Sequence, residues 1–305
     1  MSFTTFCLLL LSSPTLSYGL DWSSLSNVLS RRGSPSRKVP NAGYYNPLDN
    51  GGSFLTKIPV TFPMGQGEPI NAIISGHSDN DVLVDTEVNG GLRNYFLSLG
   101  FSAECLGQVS VGNQMANLGD GKGYLDETAV LRWNYGDPQL GTCKETIQGG
   151  NHFRYWVQDG PEANSGAIFM AVSYEMPLAK HHDIIPNGYN LARDWLIGNI
   201  TRSTIPTLEV SNTSTYSGST SADGYTYQSD VIYVSGLLAN TSDGINHNLT
   251  VPVNGSNAAD GLVAVLNVKI TERPKTASAA GVSAPIPTWL ILPLSNFLLL
   301  PFLAL

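Results

Sequence analysis

Residues 151–199 read NHFRYWVQDGPEANSGAIFMAVSYEMPLAKHHDIIPNGYNLARDWLIGN, and the fold turns on this stretch. From His152 to Val157 the side chains alternate. His152, Arg154 and Trp156 fall on one face and Phe153, Tyr155 and Val157 on the other, which is the period of a strand. Residues 167–174, AIFMAVSY, are nearly all apolar, as expected of a central strand covered on both faces. The polar segment Gln158 to Gly166 between them predicts a hairpin. Asn190 is then placed to cap a helix from Leu191 to Ile197. Leu191, Trp195 and the pair Ala192/Leu196 take its buried side, with Arg193 and Asp194 nearer the surface.

Upstream, PINAIISG at 69–76 is a short apolar run closed by glycine, a buried strand, whereas Val82 to Val84 fits a strand or a turn equally well. Leu92, Phe96 and Leu99 recur at helical spacing and Gly100 follows as a C-terminal cap, so Leu92 to Leu99 is a short helix. Gly107 to Gly123 reads as a loop. It is not a phosphate cradle, because the Gly-x4-Gly-Lys-Ser/Thr spacing is missing. Leu131, Trp133 and Tyr135 alternate with Arg132 and Asn134 in a half-buried strand, and strands follow at 230–234 and 261–270. This order has no regular βαβ alternation. It predicts a single α+β domain with a mostly antiparallel sheet and two or more packed helices.

The two ends place the chain in a compartment. Residues 1–19 carry a short apolar run and end in small residues, the pattern of a secretory signal peptide cleaved after Gly19. Residues 288–305, TWLILPLSNFLLLPFLAL, are uncharged and follow a small-residue cluster at 277–281 after a spacer. That is the pattern of a glycosylphosphatidylinositol signal, with Ser278 the expected attachment site. A retained tail anchor is the alternative, although Pro293 and Pro301 interrupt the run. The expected organisation is a signal peptide at 1–19, a disordered lead-in at 20–56 and the domain at 57–272. A stalk with the lipid-attachment region at 273–287 and the hydrophobic signal at 288–305 complete it.

Once Cys7 leaves with the signal peptide, Cys105 and Cys143 remain and are expected to pair, as in secreted domains. Glu104 beside Cys105 disfavours a reactive thiolate. Asn199, Asn212, Asn240, Asn248 and Asn254 begin Asn-x-Ser/Thr sequons, which predicts glycosylated, exposed loops on an extracellular protein at the outer face of the plasma membrane or in the cell wall. A formal net charge of −8 without a long basic stretch excludes nucleic acid as the expected partner.

Several of these pieces resemble, in order and spacing, the LssY-like C-terminal domain, a family of unknown function. They are residues 69–76, Leu99-Gly100-Phe101, His152 to Trp156, His181-His182-Asp183-Ile184, Ala192-Arg193-Asp194-Trp195-Leu196 and residues 260–266. The resemblance spans about residues 57–270. It implies a shared fold and a set of interesting positions and supplies no reaction; the cysteine pair, the sequons and the processing signals are additions to the family pattern.

His152, His182 and Asp183 have the imidazole and carboxylate chemistry of a divalent-metal site, which would make the domain a metal-dependent hydrolase. Their spacing matches no helix-borne zinc motif. The plainer reading is structural: His152, His182, Arg154 and Arg193 pair with Asp183 and Asp194 to tie the sheet to the last helix. A serine hydrolase lacks its Gly-x-Ser-x-Gly elbow. A carbohydrate or small-molecule ligand would call on Trp133, Tyr135, Tyr155 and Trp156, although aromatics at strand period are more often core. The leading expectation is thus a lipid-anchored, glycosylated surface protein whose domain is structural or ligand-binding.

Overall fold

The computed structural model describes residues 36–108, 113–253 and 255–275. The signal peptide, Ser278, the C-terminal signal and Asn254 therefore lie outside the described residues. Eight strands form one sheet: β1 (Ala72–Ile74), β2 (Phe101–Ala103), β5 (Ala129–Trp133), β6 (Gly150–Asp159), β7 (Asn164–Glu175), β8 (Thr215–Ala222), β9 (Tyr225–Thr241) and β10 (Ala259–Glu272). Their order is β2-β5-β6-β7-β1-β10-β9-β8. A separate hairpin joins β3 (Met115–Asn117) to β4 (Tyr124–Asp126).

The expectation of an antiparallel-rich α+β sheet holds, with one correction. β1 runs antiparallel to β7 but parallel to β10, so the sheet is mixed. Only three residues of the 69–76 run enter the sheet, and Asn71 beside them stitches the neighbours together. Its side-chain amide donates to the carbonyls of Val172 and Tyr189 and accepts from the Val172 amide.

Among the described residues, three α-helices pack with the sheet: α1 (Leu92–Ser98), α2 (Gly141–Gln148) and α3 (Gly188–Thr201). Leu92, Tyr95 and Phe96 of α1 and Ala192, Leu196, Ile197 and Ile200 of α3 cover one face. There they meet Phe153 and Tyr155 of β6 and Met170 and Val172 of β7. Gly100 ends α1 in a left-handed conformation (φ 86°), and a Cβ there would lie 2.1 Å from the Trp133 ring. Only glycine fits that corner.

The opposite face carries Trp156, Phe169 and Ala171 and is covered by irregular chain: Tyr44, Phe54, Ile70, the β3–β4 hairpin through Ala116 and Leu118, and residues near Ile245 and Val251. Both faces are thus dry, which is why β7 reads as a continuous apolar run. Tyr44 and Phe54 also show that the packed unit begins well before residue 57; Tyr44 is 8% exposed and Phe54 3%.

Two local expectations about α3 are corrected. Asn190 lies inside the helix and not at its cap, since Asn187, in a left-handed conformation, precedes the first turn. Arg193 and Asp194 are sealed in the core, at 0% and 1% exposure, while Leu191 is outside at 38%.

Candidate functional site

Three regions hold the sequence-predicted residues. The first is a polar ladder on the loop-covered face. The antiparallel register sets Arg132 of β5 opposite His152 of β6, and His152 opposite Ser173 of β7. Directly opposed residues share a face, and residues two apart along a strand do too. Arg154 and Glu175 therefore join the same patch, and α2 lays Glu145 over it.

Arg132 Nη1 donates to Glu145 Oε2 at 3.0 Å and to Glu175 Oε2 at 3.3 Å, and its Nε reaches Glu104 Oε1 at 3.4 Å. His152 Nε2 lies 3.2 Å from Arg154 Nη1, 3.1 Å from Ser173 Oγ and 3.4 Å from Glu175 Oε1. A guanidinium can only donate, so Nε2 accepts and the ring proton sits on Nδ1. Arg154 pairs with Glu68 at 3.5 Å and Glu127 at 3.9 Å. His182 places Nδ1 3.4 Å from Glu175 Oε2; it stands on a turn where His181 and His182 both adopt left-handed backbone (φ 58° and 55°).

Burial governs the electrostatics of this patch. It pushes the Glu145 carboxyl up to about 7, with Glu175 and Glu104 adding to the rise and Arg132 opposing it. His152 is held well below its ordinary value, first by burial and then by the Arg132 and Arg154 charges. Arg132 is raised: burial lowers it, but Glu145 and Glu175 outweigh that. Neutral His152 carries a stability consequence. Its folded pKa is below the unfolded one, so as pH falls from about 6.5 the unfolded chain takes up a proton that the folded chain refuses. Stability should fall on acidification through that range by up to about 1.4 kcal/mol per pH unit from this group alone. Urea titrations at a series of pH values should show His152→Gln losing that component of the slope; an unchanged slope would mean the imidazole is not held neutral.

Of the sequence-predicted residues, this patch gathers His152, Arg154 and His182. Asp183 is not among them. It turns away to pair with His247 Nδ1 at 2.6 Å and to accept from the Ile184 amide. Arg132, Glu145, Glu175 and Glu104 are partners that strand spacing could not reveal, because they meet only through long-range pairing and through α2.

Arg193 and Asp194 form the second region, on the helix-covered side. Arg193 makes paired bonds to Asp194 (2.7 and 3.0 Å) and to Asp260 (2.7 and 2.8 Å), and a fifth to the Leu262 carbonyl at 2.9 Å. Tyr233 donates to Asp194 at 2.7 Å, and the guanidinium lies 5.1 Å from the centroid of the Tyr233 ring. Burial lowers the Arg193 pKa, but the bonds to Asp260 and Asp194 overcome that and raise it. Every donor of the guanidinium is used and the group is sealed, which makes it a structural clamp between α3, β9 and β10.

The third region is a cleft of about 840 Å³ beside α1 and α3. Trp133 and Trp195 line it, their rings 4.6 Å apart and nearly perpendicular at 85°. Around them stand Ser98, Asn134, Asn199, Ser203, Thr204 and Ser221, with Arg202 and Asp223 as the charged lining residues. Among the expected sugar-stacking aromatics, Trp133 reaches the cleft. Tyr155 and Trp156 are core residues at 0% and 3% exposure, and Tyr135 points elsewhere, donating to the Gly149 carbonyl. Asn199 is a half-buried residue of α3, and its amide donates to the Leu99 carbonyl at 3.1 Å, so this sequon is not on an exposed loop. Asn212 and Asn240 are exposed and Asn248 is half-buried.

Cys105 and Cys143 are joined in a disulfide that ties the turn after β2 to α2. Comparison with protein-family models, with curated proteins and with solved structures finds no match for the chain.

Proposed function

We propose that this is a secreted, N-glycosylated protein held at the outer face of a membrane by a lipid at Ser278, and that its domain binds an uncharged carbohydrate in the Trp133/Trp195 cleft. The cleft carries the reading. Two half-buried indoles at right angles offer apolar surface for the C–H faces of a sugar, and a rim of hydroxyl and amide groups suits its hydroxyls. A lining with few charges favours a neutral ligand over an anionic one. The disulfide fits an oxidising compartment. Among the described residues no helix is long and apolar enough to cross a membrane. Kinship with the LssY-like domain is part of the proposal and rests on the ordered motifs alone.

The test is a screen of the immobilised full chain against oligosaccharides of glucose, mannose and N-acetylglucosamine beside uronic-acid polymers. Binding confined to neutral sugars is expected, and Thr201→Ala, which removes the Asn199 sequon without touching the cleft lining, is the control that separates an added ligand from a glycan on the chain itself. Binding only to the anionic polymers, or to nothing, contradicts the reading. Release of the protein from cells by phosphatidylinositol-specific phospholipase tests the anchor separately.

A further inference from the structure

The polar ladder supports an inference independent of the carbohydrate reading. We infer that Glu145, His152 and Glu175 bind one divalent transition-metal ion, for which zinc is the fitting probe, with His182 at the rim as a fourth ligand. One donor atom from each of the first three residues lies within 4.8 Å of the others. Glu145 is fully buried, and while its Oε2 takes the Arg132 bond, its Oε1 has no hydrogen-bond partner. A buried carboxylate oxygen left bare is costly unless a cation or proton meets it.

The distances around Glu175 point the same way. His152 Nε2 accepts from Arg154, yet it faces Glu175 Oε1, another acceptor, at 3.4 Å. The two acceptors cannot hydrogen-bond to each other, and a cation between them would take up the Nε2 lone pair that Arg154 Nη1 now meets. Ligands of a tetrahedral zinc ion at about 2.1 Å stand about 3.4 Å apart. His182 Nδ1 repeats the spacing, 3.4 Å from Glu175 Oε2, also without a hydrogen bond.

Charge balance is the third argument. Arg154 faces Glu68 and Glu127, and Glu145 and Glu175 both lean on the guanidinium of Arg132. With both carboxyls ionised, Glu145 and Glu175 outnumber that guanidinium, and a bound cation would offset the excess. Arg132 would hold the ligating carboxylates in place, as outer hydrogen-bond partners do at protein metal sites. The set is imidazole plus carboxylate, which suits zinc and its first-row neighbours better than calcium or magnesium. Because the site is sealed apart from His182, at 29% side-chain exposure, the ion would fasten α2 to β6, β7 and the His181–His182 turn and would not present a reacting water.

The experiment uses the full chain, loaded with zinc chloride, desalted and measured for bound metal, with thermal unfolding recorded in zinc and in chelator. Expected are about one zinc per chain and an unfolding midpoint several degrees higher in zinc. Because His152→Ala removes a core side chain, the variants that decide are Glu145→Gln, close in shape, and His182→Ala at the rim. Glu145→Gln should bind zinc at least about tenfold more weakly while keeping the wild-type near-ultraviolet circular dichroism, and His182→Ala should bind with intermediate strength. Wild-type protein that retains no zinc overturns the inference. So does zinc bound equally well by Glu145→Gln, since the ion would then sit elsewhere, as at His247 and Asp183.

Discussion

Replacing Arg193 with methionine should destabilise the protein by about 3–5 kcal/mol, the cost of stranding buried carboxylates without their cation. Asp194, at 1% exposure, and Asp260, half-buried, would face each other across an apolar side chain that fills the volume but donates nothing. Since folded domains are stable by about 5–15 kcal/mol in all, a loss of this size moves the urea midpoint far. Lysine should rescue little of it. It keeps the charge but cannot supply the five-donor planar fork that spans Asp194, Asp260 and the Leu262 carbonyl. Adding Asp194→Asn and Asp260→Asn to the methionine variant should recover part of the stability, because the stranded charges are then gone. A methionine variant within about 1 kcal/mol of wild type would show that water reaches these carboxylates, and the account of a sealed clamp would fail.

The second large effect is expected from the disulfide. Cys105 and Cys143 are 38 residues apart, and opening a loop of that length should cost about 3–4 kcal/mol in the chain-entropy model. The loss should concentrate on α2. This helix has no side-chain cap at its start, and its sequence, GTCKETIQ, holds a glycine and two threonines, which favour helix weakly. The disulfide to the turn after β2, the Arg132–Glu145 pair and the packing of Lys144 over Tyr135 tie it to its surroundings. In Cys105→Ser/Cys143→Ser, hydrogen exchange should therefore speed up over residues 141–148 well before it does over β6 and β7. Uniform acceleration across the sheet would mean that α2 is not a separate unit.

What could be read from the sequence is explained by range. The alternation of His152 to Val157, the apolar run of β7 and the spacing of α1 are local signals, and each lies where expected. The parallel pairing of β1 with β10 joins Ala72 to Ala264, and no local pattern encodes a partner that far away. The placing of Arg193 and Asp194 failed for a related reason. A helix wheel puts charged residues outside, and only the meeting with Asp260 and Tyr233 makes their burial tolerable. Glu145 was out of reach because α2 is held by tertiary contacts more than by propensity. The cleft is half legible: strand alternation marks Trp133 as a possible sugar platform, but helical spacing puts Trp195 on the buried side, and the two meet only when β5 and α3 pack side by side.

The Trp133/Trp195 cleft is the carbohydrate site we propose for this domain. Calorimetric titration of the full chain with the best neutral oligosaccharide from the screen tests it most directly, comparing wild type with Trp195→Ala and with Tyr135→Phe outside the cleft lining. A single site is expected, weakened about tenfold or more by Trp195→Ala and unaffected by Tyr135→Phe. Equal affinity in wild type and in a folded Trp195→Ala protein would contradict it.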